Sequence, residues 1–189
     1  MNKRIKVYTA GAIEAASDKG KGWRDELTPF LENLNMEVLD PCKFEPQQLK
    51  NLRPNKLPEF YTDLFGNKVK PKHWHELKNA KEPHLYARFK KYMERIIRFD
   101  INIVQNEADI LIVYYDERCR FGAGTQSEIT YGFMSGKAVY IVAAIDIPAW
   151  AKGCATEIFL SFEALREFLS EEYGKEEPVK VEEKIENKE

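Results

Sequence analysis

Glu128 lies in the stretch GAGTQSEITYG, Gly122 to Gly132, directly after a run of strand-forming residues. A carboxylate there can serve either of two purposes. Thr125 and Glu128 match the T-x-x-E spacing of a capping box, in which the acid reaches back to a free amide at the start of a helix. The same acid, at the mouth of a parallel sheet, can instead point into a cleft as a nucleophile or base. Tyr8 ends the apolar run IKVYT, and Asp100 falls where the stripe of a long helix calls for a hydrophobe. A phenol and two carboxylates meeting at one sheet edge would suit attack on an electrophilic carbon. Asp100 alone reads equally well as a boundary acid paired with Arg95, Arg98 or a backbone amide, because a buried carboxylate must find partners.

Around these three lie residues that could contact a ligand. Gly11 and Ala12 follow the first strand and are small enough for backbone to approach a bound molecule. Gly122, Gly124 and Thr125 form a loop whose free N–H groups could hold an anion or a sugar hydroxyl. Asp116 closes the apolar run ILIVYY and is a further contact candidate, whereas Asp109, just before that run, reads as a structural loop cap. The glycine spacing fits neither a P-loop nor the dinucleotide fingerprint. His73, His75 and His84 lack nearby cysteines and the spacing of a zinc site, and no metal or other cofactor is implied.

The elements that must position these residues follow from periodicity. Strands are expected at Ile5–Thr9, Met36–Leu39, after Asp109, and at Ala138–Ile145. Helices are expected over Gly22–Leu34, Tyr86–Asn106, Ile129–Met134 and Phe162–Phe168. Between the second strand and the long helix, residues 43–87 form an insertion too long for an ordinary connection, with structure of its own. Alternating strands and helices imply a parallel α/β sheet, with ligands at the carboxyl ends of its strands. One domain over 1–174 is expected, followed by a charged, disordered tail from 175 to 189.

The 189 residues carry 29 Lys+Arg against 31 Asp+Glu, so no global charge argues for nucleic acid or membrane as partner. Within Lys43–Arg98, however, 14 basic residues face 6 acidic ones. That excess is a solvated face or an attraction for an anionic substrate, and Tyr61, Phe65 and Trp74 could stack a base. Three isolated cysteines and the absence of a leader-like apolar run point to a reduced, cytoplasmic protein without membrane spans.

Taken in order, VYTAGAI, GWRDEL, a strand ending LDP, Asp100, ADILIVYYD and GAGTQSEITYG resemble the nucleoside 2-deoxyribosyltransferase family, which includes related deoxynucleoside monophosphate N-glycosidases. The resemblance runs from Ile5 to about Val142. It implies a flavodoxin-like fold with a parallel sheet of about five strands, and cleavage of the N-glycosidic bond of 2′-deoxynucleosides with transfer of the sugar to another base. Glu128 then matches the nucleophile that forms a covalent deoxyribosyl ester, Tyr8 the residue that orients it, and Asp100 the acid that binds the sugar or protonates the leaving base. The implied partners are a deoxynucleoside or deoxynucleotide, a nucleobase and further copies of the chain. Nine residues separate Asp100 from Asp109, one more than the family spacing, and position 122 is glycine where familiar transferases carry an acid. Hydrolysis of a deoxynucleoside 5′-monophosphate is the alternative chemistry; a non-catalytic nucleotide-binding sensor is the alternative of another class.

Overall fold

The computed structural model describes residues 3–48 and 57–174. The expected tail, 175–189, and residues 49–56 of the insertion lie outside the described residues. Five parallel strands form the sheet: β1 (Lys6–Gly11), β2 (Glu37–Leu39), β5 (Ile110–Tyr114), β6 (Ala138–Val142) and β7 (Glu157–Phe159). Their order is β2-β1-β5-β6-β7. Counting only sheet strands this is 2-1-3-4-5, the flavodoxin-like doubly wound order, whose ligand crevice opens where the winding reverses, between β1 and β5.

Helices cover both faces, as a buried parallel sheet requires. On one face α1 (Lys21–Asn33) and α6 (Phe162–Tyr173) bury Leu27, Leu31, Leu165 and Leu169 against Val7, Ile112 and Tyr140. The other core joins Tyr8, Leu111, Val113 and Ile141 to Ile103 and Val104, just beyond the end of α3 (Pro83–Asn102), and to Ile129 and Ala151 from α4 (Ala123–Met134) and α5 (Ala149–Cys154). The insertion has a small core of its own. A short α2 (Pro41–Gln48) precedes the hairpin β3 (Tyr61–Thr62) and β4 (Lys68–Val69) and a 3₁₀ turn at Trp74–Asn79; Tyr61, Leu77 and Ala80 then pack on Leu85 of α3.

Two local features set the position of the chemistry-bearing residues. A π-helical turn, Ile103–Glu107, continues α3, with the Ala108 amide donating to the Ile103 carbonyl at 2.9 Å. Such a turn takes up one residue beyond an α-helix, which accommodates the nine-residue interval while α3 keeps its register through Asp100. The second feature is Gly132. A Cβ there would stand 2.6 Å from Leu111 Cδ2, so α4 lies on β5 at a distance only glycine permits. Gly132 is one turn beyond Glu128 and seats the helix that carries it. Gly132→Ala is expected to cost about 1–3 kcal/mol by overpacking, read as a Tm lowered by roughly 2–4 °C per kcal/mol; an unchanged Tm would contradict this close seating.

Several expected boundaries shift. The helix expected at Ile129 begins six residues earlier, at Ala123, and the strand expected to reach Ile145 ends at Val142. α6 extends past Phe168 to Tyr173, and the short α5 and β7 had no clear periodic signal. No described helix is long and apolar enough to cross a membrane.

Candidate active site

Alternation along β1 turns Tyr8 toward the α4 side of the sheet, while Val7 and Thr9 face α1. Tyr8 is fully buried, and its hydroxyl donates to Glu128 Oε1 at 2.7 Å. Glu128 is itself 9% exposed, although it lies within the first half of a helix whose next-door residue, Ser127, is open to solvent. The capping-box alternative is therefore corrected. The N-cap of α4 is Gly122, with no side-chain cap, and Thr125 and Glu128 both sit inside the helix. Glu128 spends its hydrogen bond on a phenol across the sheet edge instead of on its own helix amides.

Burial raises the Glu128 carboxyl above the ordinary carboxylate range; the Tyr8 hydrogen bond and the positive charge of Arg24 pull it down. The Tyr8 phenol is held well above its usual value, first by burial and then by the negative charges of Glu128 and Asp100. Tyr8 thus remains a hydrogen-bond donor at neutral pH. Asp100, half-buried near the end of α3, acts electrostatically on Tyr8, so the three chemistry-bearing residues share one neighbourhood.

The contact candidates divide. Thr125 is buried and its hydroxyl, with the Ala12 backbone, bears on the Cys119 thiol, which burial pushes above its usual range. Cys119 in turn donates to the Tyr114 carbonyl at 3.4 Å, tying the start of α4 to the ends of β1 and β5. Gly11 is small for a packing reason: a Cβ would approach the Tyr114 carbonyl oxygen to 3.0 Å and the Trp23 ring to 3.2 Å. Gly124 borders open space, and a Cβ there would meet nothing within 4 Å. Asp116 is turned to Arg118, accepting from its backbone N–H at 2.9 Å and from its Nε at 2.7 Å, which commits that carboxylate to the loop.

Two residues near the site were not singled out by sequence. Arg24 of α1 is fully buried and hydrogen-bonded to the carbonyls of Thr9, Gly11 and Gly20. Its signal was present, since Leu27 and Leu31 three and seven residues on mark the inward stripe, but a charged residue there reads as an outward one. Asp18 accepts from the N–H groups of Gly20 and Gly22 at 2.9 and 2.8 Å, filling the N-terminus of α1 with a carboxylate. Among the described residues no group of three or more His, Cys, Asp or Glu is placed to hold a metal ion.

An open groove of about 640 Å³ lies between α3 and α4, lined by Ile97, Arg98, Ile101, Ser127 and Tyr131. Ser127 lines the groove, whereas its neighbour Glu128 is buried.

No family model and no curated protein matches the chain. Solved structures similar to it include a 2-deoxyribosyltransferase from Bacillus psychrosaccharolyticus, at 16% identity over 85% of this chain and 90% of that one, with a TM-score of 0.45. A 2-desoxiribosyltransferase from Leishmania mexicana is 13% identical over 89% of this chain and 99% of that one, at a TM-score of 0.47. A conserved protein from Enterococcus faecalis V583 is 12% identical over 89% and 99%, at 0.48. The fold assignment rests on strand order.

Proposed function

We propose that the protein cleaves the N-glycosidic bond of 2′-deoxynucleosides and passes the deoxyribosyl group to a second nucleobase. The observation that carries this reading is the buried Glu128 carboxylate, which accepts the Tyr8 hydroxyl of β1, with Asp100 close enough to act on Tyr8. A carboxylate that only capped or paired would sit at an amide or a cation. Here a Glu128 oxygen attacks C1′ as the C1′–N bond breaks, and the bonding electrons leave with the base, which takes a proton from Asp100, a carboxyl that enters this step in its protonated form and leaves it as the carboxylate. The oxocarbenium-like transition state draws on the negative charge of Glu128, as in a retaining glycosidase. Attack on C1′ by the nitrogen of the incoming base then breaks the ester, restoring Glu128 as a carboxylate, and the proton of that base returns to Asp100. The experiment is base exchange between a 2′-deoxynucleoside and a labelled free base. Neither exchange nor base release from any deoxynucleoside or its monophosphate would overturn the reading and leave the sensor alternative.

Hydrolysis of a 5′-monophosphate is the second reading, favoured by the basic excess in Lys43–Arg98. Against it stands Asp18. A helix N-terminus at the end of the first strand is the natural phosphate site of this architecture, and here a carboxylate of the chain occupies it. We therefore favour the unphosphorylated nucleoside. Asp18→Asn is expected to raise the monophosphate-to-nucleoside ratio of kcat/KM several-fold; a ratio that does not move would remove Asp18 from the argument.

We also propose a cytoplasmic homo-oligomer. Support for the oligomer is the exposed apolar surface of Ile97, Tyr131 and Met134 along α3 and α4, beside the oppositely charged Glu94 and Arg98, which an isologous contact between two copies would pair.

A further inference from the structure

Arg24 is the largest fully buried side chain among the described residues, and it stands at the carboxyl edge of the sheet on the α1 side. Its guanidinium is spread over three pieces of chain. Nε and Nη2 donate to the Thr9 carbonyl at 3.3 and 3.1 Å, Nη2 also to Gly11 at 3.4 Å, and Nη1 to Gly20 at 2.6 Å. Nε lies 3.5 Å from Oδ1 of Asp40, a 2% exposed residue just after β2 whose carboxylate also receives the Cys42 amide at 2.9 Å. The end of β1, the start of α1 and the end of β2 are thereby held together by one cation.

Stability alone is a poor account of that cation. Desolvating an ion pair costs several kcal/mol per ion, and apolar residues of similar volume commonly do as well or better. What an apolar residue cannot supply is charge, and this charge has somewhere to act. Thr9 and Gly11 flank the strand residues that follow Tyr8, and the field of Arg24 reaches both Glu128 and Tyr8. The groups that bear on Glu128 are Tyr8 from β1, which donates to it, and Arg24 from α1, with Asp40 behind it; Asp100 from α3 bears on Tyr8. Of these only Arg24 is positive.

We propose that Arg24 is a positioning residue of the site: it fixes the Thr9–Gly11 backbone beside Tyr8 and places a buried positive charge behind the Tyr8–Glu128 pair. Substrate does not touch it. Its effect reaches the reaction through Glu128, and to that extent the inference rests on Glu128 being the nucleophile.

The test compares wild type, Arg24→Lys, Arg24→Met and the double variant Arg24→Met/Asp40→Leu, which removes the buried pair together so that no lone carboxylate is left to unfold the chain. The first readout needs no turnover. Titration of the Glu128 carboxyl by ¹³C NMR, assigned by its loss in Glu128→Gln, is expected to move to higher pH in the folded double variant, and by less in Arg24→Lys, which keeps the charge. The second readout is base exchange, where kcat is expected to fall about tenfold with little change in KM, and the acid limb to follow the NMR midpoint. A folded double variant with the wild-type Glu128 midpoint would overturn the proposal and leave Arg24 a structural residue. A shifted midpoint in a protein without exchange activity would uphold the placed charge while overturning the proposed reaction, so the two failures are distinguishable.

Discussion

Glu128→Ala is expected to lower base exchange by on the order of 10⁴-fold or more, because it removes the carboxylate on which the covalent intermediate forms. Glu128→Gln, which keeps the shape and an acceptor for Tyr8, should be as inactive. The two experiments differ in stability. The carboxyl is raised above its reference value of 4.5 by burial, so the folded state holds its proton more tightly than the unfolded chain does. Stability from that difference is present below the unfolded value and is lost as pH rises through the raised folded value. At neutral pH the fold therefore carries a buried carboxylate at a cost that Gln does not bear. Glu128→Gln should melt at a higher temperature than wild type at pH 7, with the gap closing below about pH 4. A Gln variant less stable at pH 7 would show that the charge is structural, and retained turnover in either variant would end the assignment of Glu128 as nucleophile.

The next largest effect belongs to Tyr8. Its hydroxyl is 2.7 Å from Glu128 and, with its own ionisation pushed far up, it donates throughout the working range. A hydrogen bond to a charged group contributes about 1.5–3 kcal/mol, so Tyr8→Phe should lower kcat/KM by roughly 10- to 100-fold. The sign of the pH effect follows. This hydrogen bond pulls the Glu128 carboxyl down, and its removal lets the value rise, so the acid limb of the rate profile should move to higher pH. The aromatic ring still fills its place in the core. An acid limb in the wild-type position would mean that Tyr8 only packs against Glu128.

How far these residues could be found in advance depends on what held them. The apolar runs IKVYT and ILIVYY were legible because strands buried on both faces allow nothing else, and the alternation of strand and helix fixed the parallel sheet. Tyr8, Asp100 and Glu128 stood out because each is polar where its element turns inward. The start of α4 was not legible, since Gly122 and Gly124 weaken a helix locally, and it is tertiary packing of Thr125, Glu128 and Ile129 that carries the helix back to Ala123. Gly132 was visible as a residue but not as a contact, because its meaning lies in Leu111 on another element. Arg24 was hidden for the opposite reason. A cation on an inward stripe makes sense only once the carbonyls of Thr9, Gly11 and Gly20 are seen converging on it. The three-residue β7 is too short for alternation to register, and its place is set by pairing with β6.

The central claim is a covalent bond between Glu128 and C1′ of the sugar. The most direct measurement is mass spectrometry of the full chain quenched during reaction with a 2′-deoxynucleoside, followed by peptide mapping. The account predicts one added deoxyribosyl group, on the peptide bearing Glu128, absent from Glu128→Gln and discharged when a free base is added. Turnover with the group on another residue, or base release from Glu128→Gln at the wild-type rate, would contradict it.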